Sequence, residues 1–266
     1  MFKNALVGVD GRAGGRDAIA LAGRLVGPDG RLTLAHVHHG ELSEENGESH
    51  ELLERVRSEA GVEAELVSVV ATSPGRGLHE RAEALGADLL AVGSCARSTV
   101  GRAMLGDDTR AALNGAPCAV AVAALGYGAK AAPIAKVGVA YNGSAESDAA
   151  LASARELAAA SGAKAIALEV VSLPAVTYGA LLAPAIGESI DSMIAEANAR
   201  LQQLPGVEGR AVFGLPGEEL AAFGDELDLL VVGSRGYGPV RRLVVGSTSD
   251  YLERHARCSL LVLTRV

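Results

Sequence analysis

The chain has 266 residues, 49% of them apolar and only 3% aromatic, and a formal charge of −8. That length suits two ordinary domains with cores of Val, Leu and Ala, and the acidic balance argues against a surface that grips nucleic acid or anionic lipid, where phosphate contacts dominate affinity. The three scattered cysteines, Cys95, Cys118 and Cys258, exclude a disulfide framework. No leader-like segment opens the sequence and no uncharged apolar run reaches membrane length, so the expectation is a cytoplasmic protein without a membrane partner.

In chain order, residues 3–9 (KNALVGV) read as a short buried strand ending at Asp10 and Gly11. Residues 16–26 have helical spacing and stop at Gly27 and Pro28. Residues 31–37 (RLTLAHV) are a second strand, 42–60 a polar segment that becomes an amphipathic helix, and 63–71 a third strand. Pro74 and Gly75 open a helix to Leu85, residues 88–92 (DLLAV) form a fourth strand running into Gly93, 107–114 a helix, and 118–123 (CAVAVA) a fifth strand. Residues 124–133 (ALGYGAKAAP) have the composition of a connector.

The programme then restarts. Residues 136–140 (KVGVA) repeat the first strand, 147–162 the first helix with its glycine stop, and 163–171 the second strand. DLLVVGS at Asp228 repeats DLLAVGS at Asp88, and the same offset carries Gly106 onto Gly246 and Cys118 onto Cys258. Three landmarks sharing one offset imply a tandem duplication, with domains expected at 1–125 and 133–266. Alternating strands and helices in each half predict an α/β fold with a parallel sheet and right-handed crossovers. The duplication gives each half a matching final strand, 118–123 and 258–264, so the halves are expected to pack as a pseudo-twofold pair that covers both edges. The apolar segment 173–187 is too short to span a membrane and reads as a loop or helix packed over the sheet.

The most informative stretch is residues 229–249 (LLVVGSRGYGPVRRLVVGSTS), an apolar strand running into glycines and then a helix start. Gly233 and Gly236 are separated by two residues, and Gly246 follows after nine more, then Ser247 and Thr248. Glycines let backbone N–H groups approach a phosphate, Ser247 is a good N-cap, and a helix start favours an anion. No G-x-x-x-x-G-K-[ST] occurs, so a Walker-type NTPase is not supported.

This G-x2-G-x9-G-S pattern resembles the nucleotide loop of the universal stress protein family, in its ATP-binding branch, and the likeness extends over nearly the whole chain. The resemblance implies two tandem open parallel five-stranded sheets, each ordered 3-2-1-4-5 and flanked by helices, of the adenine-nucleotide alpha-hydrolase-like type. The switch point of each sheet then lies between strands one and four, where ligands of open α/β sheets bind. It further implies ATP as ligand, with or without magnesium, and a dimer contact made by final strands, leaving room for a homodimer of the whole chain. Carried over residue by residue, the second half supplies Asn142, Val170, Gly233, Gly236, Gly246, Ser247 and Thr248, with Arg235 as a phosphate partner. Asn142 departs from the family's aspartate, though its amide oxygen can still accept from an exocyclic amine; the competing reading is a turn residue before Gly143.

The first half retains Asp10, Val37, Gly93 and Gly106, but its loop has Ala96 for Gly236 and Asp107 for Ser247. A carboxylate at that helix start opposes phosphate: two charges about 4 Å apart interact by roughly 4 kcal/mol at an effective dielectric of about 20. The expected outcome is asymmetric, a nucleotide in the second half and a degenerate site in the first. His36, His38 and His39 suggest a metal, but no partner stands at ligand spacing, so none is expected. Cys118 and Cys258 read as small core residues. The loop carries no evident general base, so hydrolysis, if any, is expected to be slow. Two other classes remain open, an interaction or scaffold protein on the same fold that binds no nucleotide and a flavin carrier.

Overall fold

The protein is described by a computed structural model that covers residues 1–40, 43–94, 107–129, 133–173, 184–234 and 247–264. The first half contains β1 (Phe2–Gly8), α1 (Ala13–Leu25), β2 (Val26–His38), α2 (Ser43–Ala60), β3 (Glu65–Val70), α3 (Pro74–Leu85), β4 (Leu89–Gly93), α4 (Asp107–Leu113) and β5 (Ala119–Ala123). The second repeats it with β6 (Lys136–Ala140), α5 (Ala145–Ser161), β7 (Lys164–Val171), α6 (Pro184–Gln202), β8 (Glu208–Phe213), α7 (Pro216–Gly224), β9 (Leu229–Gly233), α8 (Ser247–His255) and β10 (Ser259–Leu263). Local chemistry accounts for the helix ends. Ser144 caps α5 by accepting the Ser147 N–H at 3.2 Å, and Gly162 ends that helix in the left-handed region at φ 69°. Pro74 and Pro216 open α3 and α7, where a missing N–H costs nothing.

Each half has the expected strand order 3-2-1-4-5, and all pairings within a half are parallel. The two sheets do not stand apart. They join through an antiparallel pairing of β5 with β10 into one sheet of ten strands, β3-β2-β1-β4-β5-β10-β9-β6-β7-β8. The register is self-complementary. Ala121 pairs with Leu261, its own counterpart under the repeat, while Val120 and Val122 pair with Val262 and Leu260, the counterparts of each other. That is the signature of a twofold contact, here within one chain. Arg110 meets Asp250, again its own counterpart, at 2.6 Å beside the axis.

Alternation along the strands buries both faces of the sheet. Ala5, Val7, Leu89 and Ala91 belong to a continuous core on one face that also takes in residues of α1, α2, α5 and α6. Leu6, Leu90 and Val92 belong to the core on the other face, which also takes in residues of α3, α4, α7 and α8. Buried Glu253 departs from this apolar rule. It sits on α8 in the place that Leu113 fills in α4 and is only 6% exposed, with neither carboxylate oxygen accepting a hydrogen bond from the described residues.

Two segments differ from the sequence reading. The stop expected at Gly27 and Pro28 is instead the start of β2, which pairs Val26 with Phe2 and then shifts register before Arg31 meets Asn4. An extended Gly-Pro-Asp-Gly run is compatible with a strand margin, where a bulge absorbs the irregularity. The connector is also docked rather than free. Buried Asp17 of α1 accepts the N–H groups of Gly126 and Gly128 at 2.8 and 2.7 Å, and Tyr127 between them is buried. Part of segment 173–187 lies outside the described residues; its end starts α6, which packs on β7 and β8. Among the described residues no helix is long and apolar enough to cross a membrane.

Two outcomes follow from these placements. Asp17→Ala strands two backbone donors and is expected to cost roughly 2 kcal/mol in urea unfolding. Burial pushes the Glu253 carboxyl from its ordinary 4.5 up to about 7; Asp250 adds to the rise, while Arg110 and Arg254 oppose it. Between those two values the folded state holds a proton that the unfolded state has lost, so stability falls as pH rises from 4.5 through about 7 and then levels. Glu253→Leu is expected to remove that slope, read as Tm against pH.

Candidate functional site

At the carboxyl ends of β1, β2 and β4 the first half holds a cavity of about 260 Å³. This is the switch point of its five strands, where a ligand is expected. Three of the four first-half candidates, Asp10, Val37 and Gly93, line it; Gly106 lies outside the described residues. Gly11 at φ 76° lets the chain turn, and Asp10 Oδ1 accepts the Arg12 N–H at 3.0 Å, closing an Asx turn. The second carboxylate oxygen is 3.7 Å from the exposed Arg12 guanidinium, so Asp10 still offers an acceptor at the rim. Gly93 sits so close to α1 that a Cβ there would lie 2.0 Å from the Gly14 carbonyl oxygen. Thr109 of α4 donates to the Gly93 carbonyl at 3.0 Å, tying the helix start to the strand end.

Sequence reasoning passed over Ser94. It lines the cavity, and its buried Oγ has no hydrogen-bond partner among the described residues. Its one sequence signal is its place in the repeated DLLAVGS motif. A buried hydroxyl left unpaired is costly unless a ligand or water completes it.

The second half repeats the frame with different side chains. Asn142 forms the same Asx turn, accepting the Ser144 N–H at 3.1 Å, and Gly143 has φ 74°. The turn role weighed for Asn142 is therefore real, and it uses the amide oxygen, leaving the NH₂ as a donor where Asp10 keeps an acceptor. Gly233 again abuts the helix: a Cβ would lie 2.6 Å from the Glu146 carbonyl oxygen. Val170 on β7 faces the same cluster as Val37 does on β2, both partly buried. Helix α8 begins at Ser247, followed by Thr248, whereas α4 begins at Asp107. Arg235, Gly236 and Gly246 lie outside the described residues, as do Cys95 and Ala96.

The bonds Val9 N–H to Ala35 O and Tyr141 N–H to Leu168 O fix the correspondence of the second strands, so Glu169 stands where His36 stands. Glu169 is buried and held by Arg200 of α6 at 2.6 Å, with its other oxygen unpartnered among the described residues. His36 bonds Ser49 of α2 at 2.9 Å. Burial holds the His36 pKa below its ordinary value, reinforced by His38 and opposed by Asp10. His36 and His38 share one face of β2, as alternation requires, with near-parallel rings 6.3 Å apart. His38 bonds Asn46 and Ser68 at 3.1 and 2.8 Å. Among the described residues no three metal-ligating side chains cluster. Cys118 and Cys258 are buried beside their final strands, and burial pushes both thiols up to about 12, so they act as small core residues.

Two parallel five-stranded units, each with a glycine pressed onto a helix start at its switch point, define an adenine-nucleotide alpha-hydrolase-like fold. The chain belongs to the universal stress protein family, which it matches over residues 1–124 and again over 133–264. Among solved structures it is similar to a protein of Pseudomonas aeruginosa UCBPP-PA14 assigned to the universal stress proteins, at 18% identity and TM-score 0.70, covering 98% of this chain and 93% of that one. A universal stress protein from Archaeoglobus fulgidus DSM 4304 gives 18% identity and TM-score 0.66, covering 99% and 98%. These likenesses concern the fold. No curated protein matches the chain.

The glycine contacts give a direct test. Gly93→Ala and Gly233→Ala each drive a methyl into a helix carbonyl and are expected to destabilise by about 1–3 kcal/mol in urea titrations, with Gly93→Ala the worse.

Proposed function

We propose that this protein is a cytoplasmic stress or energy-state module that binds ATP in its second half, residues 133–266, with at most slow hydrolysis. The observation that carries the reading is the contrast between equivalent helix starts, Ser247 on α8 and Asp107 on α4. A helix N-terminus favours a phosphate, and a resident carboxylate competes with it. Gly233, close-packed on the start of α5, brings the end of β9 to that same crevice. In this reading Gly233, Gly236, Gly246, Ser247 and Thr248 hold ribose and phosphates, Arg235 pairs with a phosphate, and Asn142 and Val170 meet the base. A magnesium ion would accompany the phosphates. An interaction protein of the same fold would bind no nucleotide, and ligand retained through purification separates the two.

A second reading has its own support. The cavity of about 260 Å³ lies in the first half and keeps the acceptor of Asp10 beside the unpartnered Ser94 hydroxyl. That combination favours a base and ribose without a triphosphate, since Asp107 opposes the phosphate end.

Calorimetric titration tests both. ATP is expected to bind one site per chain, and Ser247→Asp to weaken it more than about tenfold, or about 1.4 kcal/mol, with the fold intact because a carboxylate is also favoured in the first turn of a helix. Two equal ATP sites, or unchanged affinity in Ser247→Asp, would overturn the asymmetric reading. Adenosine binding that survives Ser247→Asp and is lost in Asp10→Ala supports the second reading.

A further inference from the structure

A second cavity, of about 380 Å³, opens at the seam between the halves, where the end of β5 meets the beginning of β10 and the last turns of α7 and α8. Its wall is largely aliphatic, with Val122, Ala221, Ala256 and Leu260, and Glu253 lines it. The charged groups around it are otherwise engaged. Arg110 of α4 and Arg254 of α8 both bind Asp250, and Arg257 lies 3.7 Å from Asp225 at the end of α7. The His255 ring is bonded to the Tyr251 carbonyl, and the Cys258 thiol is held neutral by burial. Among the described residues, neither carboxylate oxygen of Glu253 has a hydrogen-bond partner. The duplication sharpens the point, because the equivalent position in the first half is the core residue Leu113, 2% exposed. A carboxyl in place of a core leucine, beside a cavity and without a donor, is costly unless something supplies one.

We propose that the seam cavity is a ligand site for a small organic cation, whose ammonium group donates to the Glu253 carboxylate while its hydrocarbon chain lies against Val122, Ala221 and Leu260. An anion is disfavoured because the nearby guanidinium groups are already paired. A bare divalent metal is disfavoured because one carboxylate cannot furnish its oxygen shell. In the absence of ligand the carboxyl holds a proton readily, having been pushed up to about 7, so an ammonium ligand displaces that proton below neutrality. This cavity adjoins the first-half crevice, with which it shares Ser94 and Leu125, but its carboxyl comes from α8 of the second half.

The test is a titration of the full chain with butylammonium chloride at pH 8, followed by amide NMR shifts. Saturable shifts at Val122, Ala222 and Glu253 are expected, with butanol at least tenfold weaker. Glu253→Gln should lose at least tenfold in affinity, and Glu253→Leu, which restores the residue of the other half, should lose binding while melting cooperatively. At pH 6 the calorimetric heat should depend on the buffer, reporting the released proton. Absence of saturable shifts at the seam, equal affinity for butanol, or unchanged binding in Glu253→Leu would overturn the proposal. ATP titrated into the same samples reads the switch-point sites, so failure of one reading is distinct from failure of the other.

Discussion

The antiparallel pairing of β5 with β10 is the contact on which the rest of this architecture depends. Each five-stranded unit ends in a strand whose residues are all buried, Ala119–Ala123 and Ser259–Leu263. Left open, such an edge presents unpaired backbone groups and apolar side chains, a template for aggregation. Pairing the two edges answers both problems with one contact. Because the edges descend from one repeated sequence, the pairing is a twofold, and a twofold between parallel sheets must reverse strand direction at the seam.

That symmetry also explains where departures from symmetry matter. Positions near the axis meet their own counterparts, so a change in one copy alone is felt across the seam. Arg110 and Asp250 turn a self-contact, which would have set like charges together, into an ion pair. Glu253 does the opposite, placing an unpartnered acid where Leu113 packs. Away from the axis the two crevices have diverged in complementary ways. The first keeps a carboxylate, Asp10, and a cavity; the second keeps a serine at its helix start and an amide at Asn142.

The polar groups that shape these crevices mostly serve the backbone. Asp10 and Asn142 close Asx turns, and Thr109 secures the Gly93 carbonyl. Asp88 and Asp228 play matching roles at the opposite end of the sheet, accepting N–H groups at the starts of β1 and β6. Such fully satisfied contacts fix the geometry; Ser94, with its unpaired hydroxyl, is the exception in the first crevice.

The sequence by itself determined the duplication, the strand and helix programme, the family and the edge strands that meet, because these are carried by local periodicity, glycine punctuation and a repeated offset. Helix α3 was legible to the residue because Pro74 and Gly86 mark its ends. The sequence also supplied the candidate residues of both crevices, and in the first of them Asp10, Val37 and Gly93 do converge on one cavity. It did not give the direction or register of the β5–β10 pairing that merges the two sheets into one, since that pairing joins residues some 140 positions apart. The docking of the connector on Asp17 was hidden for the same reason, its partners lying 109 and 111 positions away. Nor could it show that Ser94 and Glu253 are buried without partners. Burial and hydrogen-bond satisfaction depend on everything that packs around a group, and only the tertiary structure brings those neighbours together.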